Sequence, residues 1–478
     1  MEHTYLLTCV FVPVIGSVLL PVAGRISEAA RNLLSLLMVS VSLVTSALLV
    51  PTVLAGNIIC INYTLPLGFN FILTADCLAV FMAIVSSLVG TIIVLYSFDY
   101  ISHYDNRNEY YLFVVLFLGS MMGLVYSGNL IFLFLFWEIT AIASWRLIGF
   151  FRVKEHVLKA DKSFLVTVFG ALMMFIGFIY IYGLTGSFDL AVIKESLKGS
   201  PVPDIVVILI LIGILAKSAT LPFHTWLPDA GVAPSPVTAL LHAAVLVKIG
   251  VYVFARLFIA TFTVSEVWHV AVPIIAGASA LVAAGAALIE TDMKRIIAFS
   301  TVSQIGFILL GFAIGNGIGY AGALLYILMH GLAKGGLFLC AGIVEQNVKT
   351  KDITKMGGLA ATMPVTALSF LACAFSVMGV PPFGGFFSKY LVFSSAANSG
   401  NMLITGIFLL GAFLTIIYLF RIFNMIFLGE ARGRAVKEGS SVMVISVATL
   451  AILSILGGIL IQYPSAFAQA AVKQMMGT

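Results

Sequence analysis

Apolar runs long enough to cross a lipid bilayer recur along the whole 478-residue chain, separated by short polar segments. A transmembrane helix needs about 20 consecutive apolar residues to span the hydrocarbon core. Apolar side chains make up 61% of the residues and charged side chains only 9%, which excludes an ordinary soluble globular domain. Because backbone polar groups in lipid must be satisfied within each segment, these runs predict an all-α, polytopic membrane protein.

The hydropathy pattern predicts fourteen transmembrane helices. Their spans are expected near residues 4–23, 31–54, 78–98, 111–127, 129–150, 163–184, 204–226, 235–260, 268–290, 295–315, 318–343, 364–397, 402–428 and 441–463. The predicted organisation is an N-terminal unit of three helices (1–98), two units of five helices (111–260 and 268–428), and a C-terminal helix with its tail (441–478).

Basic residues are distributed unevenly between the predicted loops. The odd-numbered loops hold Arg25, Arg31, Arg107, Arg152, Lys154, Lys159, Lys162, Lys294, Arg295, Lys349, Lys351, Lys355, Arg421, Arg432, Arg434 and Lys437. The even-numbered loops and the termini hold only Lys194, Lys198, Arg256 and Lys473. Cytoplasmic loops carry an excess of Lys and Arg, so we expect a multi-pass protein of the cytoplasmic membrane with both termini extracytoplasmic. Glu2 and His3 precede the first span, which does not resemble a cleavable signal peptide.

The cysteines are too scattered to suggest a redox or metal centre. The five residues, Cys9, Cys60, Cys77, Cys340 and Cys373, show no paired spacing, so we expect no disulfide framework, iron–sulfur cluster, zinc site or other cofactor. The net charge of +5 is explained by membrane topology and not by nucleic-acid binding.

Four lysines fall inside predicted spans: Lys217, Lys248, Lys334 and Lys389. Each cationic side chain at a helix centre costs about 2.5–3.5 kcal/mol, so the four together cost about 10–14 kcal/mol. Net protein stability is only about 5–15 kcal/mol, so such residues indicate function. A fifth cation, Arg146, lies near the end of its span and fits a side chain that reaches the interface.

Glu138 is the carboxylate that sits deepest in an apolar span. A buried Glu beside a buried Lys stays ionised as a pair, and a change in one partner shifts the pKa of the other. Glu138 beside one of the buried lysines therefore predicts a proton switch. The alternative is a fixed pair that joins two helices, although such pairs do not reliably stabilise a fold.

Three histidines extend this set of ionisable residues. His330 precedes Lys334 by four residues and therefore faces the same side of one helix, and His242 shares a span with Lys248. Histidine titrates near neutral pH and relays protons in either direction. His224 lies beside Pro222, and two interpretations fit it equally well: a proton relay, or a core residue whose hydrogen bonds are satisfied.

Two spans carry helix breakers next to a lysine. Pro222 follows Lys217 by five residues, and Pro381-Pro382-Phe383-Gly384-Gly385 precedes Lys389. Both spans, the seventh and the twelfth, are predicted to be broken helices that line a hydrated site. They lie five helices apart, which predicts two inverted five-helix repeats in which Lys217 and Lys389 are equivalent.

Several segments resemble the antiporter-like membrane subunits of respiratory complex I, Mrp cation/proton antiporters and energy-converting hydrogenases, including formate hydrogenlyases. The resemblance covers most of the chain and rests on Phe136-Trp-Glu138, Lys217-Ser-Ala-Thr-Leu-Pro-Phe-His-Thr-Trp-Leu-Pro-Asp-Ala230, Pro234-Ser-Pro-Val-Thr-Ala-Leu-Leu-His-Ala-Ala244, Asp292-Met-Lys-Arg-Ile-Ile-Ala-Phe-Ser-Thr-Val-Ser-Gln-Ile-Gly306 and Gly379-Val-Pro-Pro-Phe-Gly-Gly-Phe-Phe-Ser-Lys389. It implies that Glu138 of the fifth helix pairs with Lys217 of the seventh, so we expect the two within ion-pair reach. It also implies a chain of charge that continues from this pair through Lys248, His330 and Lys334 to Lys389. Arg146 departs from the expected apolar residue, and no long lateral helix is expected after the fourteenth span.

The resulting functional prediction is a protein that translocates protons, or exchanges sodium for protons, as one part of a larger membrane complex. Its expected partners are homologous membrane subunits and a soluble iron–sulfur, NiFe or quinone-linked redox arm, so an enzymatic role would belong to the complex. Two alternatives stay open: a scaffold that anchors a redox enzyme, and a stand-alone secondary carrier. Lys389 is expected to exchange its proton with the extracytoplasmic side.

Overall fold

The computed structural model describes residues 1–66, 70–432 and 436–477, so the predicted loop residue Arg434 lies outside the described residues. Among these described residues, helical segments occupy each of the fourteen predicted spans, and twelve of the spans are long and apolar enough to cross a membrane without a break of several residues. They are α1 (Glu2–Ile26), α2 (Glu28–Leu54), α3 (Cys77–Tyr100), α4 (Arg107–Tyr126), α5 (Leu130–Ile148), α6 (Lys154–Thr185), α8 (Ser235–Ile259), α9 (Trp268–Ile289), α10 (Met293–Ala313), α11 (Gly317–Val348), α13 (Met402–Phe427) and α14 (Ser441–Ile459).

The two remaining spans are interrupted, which confirms the prediction of broken helices. In the seventh span, helix α7a (Asp204–Lys217) is followed by turns and a single helical turn, α7b (Trp226–Asp229). In the twelfth, α12a (Pro364–Met378) and α12b (Gly384–Asn398) flank the proline-rich segment. Proline removes a backbone donor and clashes with the preceding turn, so a continuous helix is disfavoured at both places.

Helix α8 is also irregular, which the sequence did not predict. A π-helical turn covers Leu240–Ala244, and Val245 then leaves helical geometry with φ −133° and ψ −72°. A second π-helical turn, Ala255–Ile259, ends the span. Such turns are uncommon and occur frequently at functional sites.

Two further elements lie outside the predicted spans. Strands β1 (Ile59–Thr64) and β2 (Asn70–Ala75) form an antiparallel hairpin in the segment before α3. The predicted tail is a helix, α15 (Gln462–Met476), whose Gln474 Oε1 accepts a hydrogen bond from Cys77 N at 2.7 Å. Gln474 thereby satisfies one of the free N–H groups that every helix start leaves.

The same backbone hydrogen bonds recur in the two five-helix units. In each unit, the start of the second helix is bonded to the segment before the broken helix. The bonds are Leu130 N to Phe188 O (2.9 Å) and Leu190 N to Gly128 O (3.0 Å) in the first unit, and Met293 N to Lys351 O (2.8 Å) and Ile353 N to Thr291 O (3.0 Å) in the second. Five spans separate the two sets, so chain connectivity places them at opposite ends of the bundle.

The two breaks also share one backbone pattern, relative to which Lys217 and Lys389 occupy different positions. Thr220 N donates to Leu215 O at 3.0 Å in the first break, and Val380 N donates to Phe375 O at 3.0 Å in the second. The residues before these donors, Ala219 and Gly379, both have positive φ, +52° and +83°. In this register Lys217 corresponds to Val377, and Lys389 corresponds to Asp229. Lys217 therefore precedes its break, whereas Lys389 follows the other.

Basic residues that the sequence assigned to loops are partly inside the fold. Arg31, Arg256 and Lys294 are buried, because each lies within a transmembrane helix. Arg146 forms an ion pair with Glu109 and keeps a third of its side chain exposed, as a residue near a helix end can.

Candidate functional site

All four lysines predicted to lie in the membrane are enclosed by the protein. Lys217, Lys248 and Lys334 are fully buried and Lys389 is 5% exposed. Lys217 ends helix α7a directly before its break, and Lys389 lies in the second turn after the other break. The structure thus places both lysines where interrupted helices leave free backbone groups.

Lys217 contacts the residue next to Glu138, and not Glu138 directly. Its Nζ donates to the carbonyl of Trp137 at 3.1 Å and lies 5.2 Å from the centre of the Trp137 ring. No ion pair joins Glu138 to a lysine in the described parts of the chain, and Glu138 Oε1 is buried without a hydrogen-bond partner. The expectation of a direct ion pair between Glu138 and Lys217 is therefore wrong for this structure. The two side chains nevertheless lie close enough to interact electrostatically.

Glu138 lies on the outward face of α5. Leu135 and Ile142, which share this face at helical spacing, are 47% and 46% exposed. The carboxylate is only partly covered, unlike the lysine chain. Glu138 is thus at the edge of the polar chain, beside surface that lipid or another protein would cover.

The irregular turn of α8 positions Lys248. Its Nζ donates to the carbonyl of Ala243, a residue of the π-helical turn that precedes the interruption at Val245. Gly331 of α11 lies against the same ammonium, because a Cβ at this position would come within 2.7 Å of Nζ. The glycine therefore allows α8 and α11 to approach closely around the charge.

Both histidines predicted beside the membrane lysines, His242 and His330, are fully buried, and neither ring nitrogen of either one has a hydrogen-bond partner in the described chain. The His242 ring packs 4.5 Å from the Phe338 ring, and the His330 ring lies 6.0 Å from the Tyr326 ring. Buried polar atoms without partners are rare, so these imidazoles are available to bind water or a proton.

Lys334 begins a hydrogen-bonded network that sequence reasoning missed. Its Nζ donates to Ser300 Oγ at 2.6 Å and to Ile297 O at 3.1 Å. Ser300 Oγ shares a hydrogen bond with Tyr418 at 2.8 Å, and Gln304 Nε2 donates to Tyr418 at 3.1 Å. The available signal was the polar segment in the middle of α10, where Ser300 and Gln304 lie one turn apart.

Among the four membrane lysines, Lys389 is the one whose ammonium has no hydrogen-bond partner in the described residues. Its Nζ lies 5.4 Å from the Phe307 ring centre and 5.7 Å from the Tyr326 ring centre. Cation–π contacts compensate only part of the free energy of burying an ammonium group. Lys389 is therefore the least stabilised of the four buried lysine charges.

His224 is separate from this chain of residues. It lies half-buried in the break after α7a, its Nδ1 has no hydrogen-bond partner in the described residues, and Lys162 is the charged side chain that acts on it. The structure brings Lys217, Lys248, Lys334 and the other two histidines into the interior, but it leaves His224 towards the bundle end where Lys162 lies.

Ion pairs formed by two aspartates, Asp229 and Asp76, hold the ends of the bundle around the polar interior. Asp229, after α7b, pairs with Lys162 at 2.7 Å and with Arg295 at 2.8 Å. At the opposite end Asp76 pairs with buried Arg256 and also accepts from Ala79 N at 2.8 Å. Burial opposes ionisation of Asp76 and Asp229, but the adjacent cations outweigh it and hold the pKa of both carboxyls below the ordinary value.

Broken helices and buried ionisable residues at mid-bundle depth are features of membrane transport proteins as a class. Residues 127–415 match the family described as NADH:quinone oxidoreductase/Mrp antiporter, transmembrane. The chain belongs to this family.

Named relatives and solved structures agree with this family. The chain is 33% identical to the A1 subunit of the Na(+)/H(+) antiporter of Staphylococcus aureus over 94% of its own length and 60% of the relative. It is 38% identical to an Na(+)/H(+) antiporter subunit of Alkalihalophilus pseudofirmus over 72% of its length and 45% of the relative. The chain thus spans 60% or less of the length of these two curated relatives.

Two solved complexes contain chains with the same fold. A chain of the Mrp complex from Dietzia sp. DQ12-45-1b has a TM-score of 0.88 and 22% identity, with 99% of this chain and 98% of that chain covered. A chain of the membrane-bound sulfane sulfur reductase, an archaeal respiratory membrane complex, has a TM-score of 0.90 and 24% identity, with coverage of 100% and 98%. At these identities the likeness establishes the fold.

Proposed function

We propose that this chain is a proton-translocating membrane subunit of a multisubunit cation/proton antiporter, in which protons move along Glu138, Lys217, Lys248, His330 with Lys334, and Lys389. The observation that carries the proposal is the row of buried lysines, of which Lys389 has no hydrogen-bond partner in the described chain. An uncompensated cation in a low-dielectric interior is costly and is retained where the charge is used. The relatives named as Na(+)/H(+) antiporter subunits favour exchange of sodium for protons by the assembled complex.

In the proposed mechanism, the charge on each residue alters the protonation of the next residue in the row. Lys217 Nζ is held by the Trp137 carbonyl beside Glu138, so protonation of Glu138 removes the negative charge that favours the Lys217 ammonium. The proton released from Lys217 passes through water to Lys248 and then to the His330 and Lys334 pair. A positive charge arriving at Lys334 favours proton release from Lys389, because like charges in one cavity destabilise each other.

We also propose two inverted repeats, residues 111–260 and 268–428, with the basic end of the bundle facing the cytoplasm and both termini facing outward. The recurrent backbone bonds at the breaks and at the starts of α5 and α10 support the repeats. The excess of Lys and Arg at one end supports the orientation. Exposed Cys60, in the hairpin at the opposite end, tests it: this thiol should react with an impermeant reagent in intact cells and not in sealed inside-out vesicles. The reverse pattern would contradict the proposed orientation.

The proposal is tested by transport in inside-out vesicles that contain the assembled complex with Lys217→Ala, Lys334→Ala or Lys389→Ala. Sodium-driven proton movement should fall to background in each variant while assembly is retained. Lys355→Ala is the matched control, since this lysine is 71% exposed and lies outside the chain of buried charge. Full transport in any one of these buried-lysine variants would contradict the proposal, and full transport in all three would favour a scaffold.

A second candidate is a redox-driven respiratory complex, favoured by the fold match to the archaeal membrane-bound sulfane sulfur reductase. The subunits that co-purify after mild detergent extraction separate the candidates. Homologous membrane subunits alone indicate a multisubunit antiporter, whereas an iron–sulfur, NiFe or quinone-linked arm indicates a redox complex. Robust coupled transport by the purified single chain in liposomes would contradict both and favour a stand-alone carrier.

A further inference from the structure

A cavity of about 590 Å³ opens at the basic end of the bundle, between the two five-helix units. Its lining combines aromatic residues with a polar group that includes Thr291, Glu345, Gln346, Lys351 and Asp352. The proposed translocation chain does not use any of these residues. The cavity is large enough for many water molecules, each of which occupies about 30 Å³ in the liquid.

Glu345 forms the floor of this cavity and is bonded to Lys294. Glu345 pairs with Lys294 Nζ at 3.3 Å and with Lys351 Nζ at 3.4 Å, and it accepts from Ser235 Oγ at 3.3 Å. Lys294 also donates to Ala233 O at 2.6 Å, and its side chain is only 1% exposed. One carboxylate therefore stands between a cation open to the cavity, Lys351, and a cation sealed beneath it.

Ionisable residues continue inward from this floor along two helices. On α11, Glu345, Lys334, His330 and Tyr326 lie within a stripe of about 100° when the helix is drawn at 3.6 residues per turn. On α8, Ser235 at the floor is followed by His242, about 10 Å deeper at 1.5 Å rise per residue.

His242 is the group that joins the floor to the lysine chain. It is fully buried with both ring nitrogens unpartnered in the described residues, and both Lys334 and Lys294 lie within electrostatic range of it. An unpartnered imidazole near two lysines has no packing role that phenylalanine would not fill as well. It can, however, accept a proton at one nitrogen and release one from the other.

We infer that this cavity is a proton inlet between the two repeats, in which Glu345 takes protons from the basic end and His242 delivers them to Lys334. The inference rests on the proposed function and adds an entry point separate from Glu138 and Lys217. The ion pair between Glu345 and Lys294 could by itself have a structural role, because it joins α10 to α11. Such a role would not explain the cavity above the pair or the unpartnered His242 below it.

The proton balance of the inlet is simple. A hydronium ion in the cavity protonates the Glu345 carboxylate, which weakens its hold on Lys294 and Lys351. The carboxylic acid passes its proton through intervening water to neutral His242, and Glu345 returns to its anionic form. The His242 imidazolium then protonates Lys334 as the free amine, so one positive charge moves from the cavity to the lysine chain.

Substitution of Glu345 tests the inlet in the assembled complex. Glu345→Gln should lower proton transport in inside-out vesicles by about 100-fold, the lower end of what a positioned proton-transfer group supplies, and Glu345→Asp should restore part of the rate. Glu155→Gln is the matched control, since this carboxylate lies at the same end and pairs with Lys159 outside the cavity. Equal rates for Glu345→Gln and Glu155→Gln would overturn the inlet, and a rate for Glu345→Asp no higher than for Glu345→Gln would indicate a structural role and overturn it as well.

Water access supplies a measurement that does not depend on Glu345. Ala239 lies between Ser235 and His242 on α8 and is buried. In a Cys60→Ser background, Ala239→Cys should react with a small cationic thiol reagent applied to inside-out vesicles, whereas Ala280→Cys, buried in α9, should not. Equal reactivity at the two positions would refute the inlet. Lys334→Ala separates the two proposals: loss of transport in this variant with full transport in Glu345→Gln refutes only the inlet, whereas full transport in Lys334→Ala refutes the proposed function.

Discussion

Replacement of Lys389 by methionine should abolish transport and at the same time stabilise the protein. The side chain is 5% exposed, and its ammonium has no hydrogen-bond partner among the described residues. Methionine is similar in length, fills the same space, and carries no charge to desolvate. A gain in stability on loss of function is the expected signature of a residue retained for its charge.

The magnitude follows from the contacts of Lys389. Burial of the cation at a helix centre costs about 2.5–3.5 kcal/mol. Its two ring contacts, with Phe307 at 5.4 Å and Tyr326 at 5.7 Å, together offset about 1–2 kcal/mol. Lys389→Met should therefore raise the free energy of unfolding by about 1–2 kcal/mol.

Lys334→Met is the matched comparison, because Lys334 is equally buried but well bonded. Its ammonium donates to Ser300 Oγ at 2.6 Å and to Ile297 O at 3.1 Å, and hydrogen bonds of charged groups contribute about 1.5–3 kcal/mol each. Loss of these bonds should cancel the gain from removing the charge. The two variants should thus both lose transport but differ in stability, with Lys389→Met the more stable.

The assay is thermal and denaturant unfolding of the purified complex in detergent at pH 7, together with proton transport in vesicles. A destabilised Lys389→Met variant would refute the reasoning, since it would mean that the ammonium is satisfied in the folded state. Full transport in the same variant would show that the chain of charge does not end at Lys389.

Three further outcomes are expected. Glu138→Gln should leave assembly intact but lower antiport in vesicles by about 100-fold, and wild-type antiport would remove the proposed switch. Asp76→Asn should destabilise the chain by about 3–5 kcal/mol because buried Arg256 loses its counter-charge. Since Arg256 holds the pKa of Asp76 below 3.8, this deficit should stay constant above about pH 5 and shrink as the pH falls through the lowered pKa; an unchanged deficit at pH 3 would contradict the ion pair. Gln474→Ala should lower stability by about 1 kcal/mol through loss of the bond to Cys77 N, as seen by thermal unfolding, and an unchanged midpoint would show that water replaces it.

The sequence alone was sufficient for the elements whose cause is local. Hydropathy depends only on neighbouring residues, so all fourteen helical spans were predictable, and the prolines after Lys217 and before Lys389 marked the two broken helices. The buried lysines were equally visible, because a charge within an apolar run is costly wherever that run packs. The π-helical turn of α8 and the β-hairpin before α3 gave no such local signal.

Partners and registers were decided by the tertiary structure. Whether Lys217 meets the carboxylate of Glu138 or the carbonyl of Trp137 depends on rotations of α5 and α7a that hydropathy does not encode. The register that aligns Lys389 with Asp229, and not with Lys217, is visible only in the backbone hydrogen bonds of the breaks. A sequence specifies which groups are costly to bury, but the neighbours that compensate each of them come from distant helices, and only packing brings those helices together.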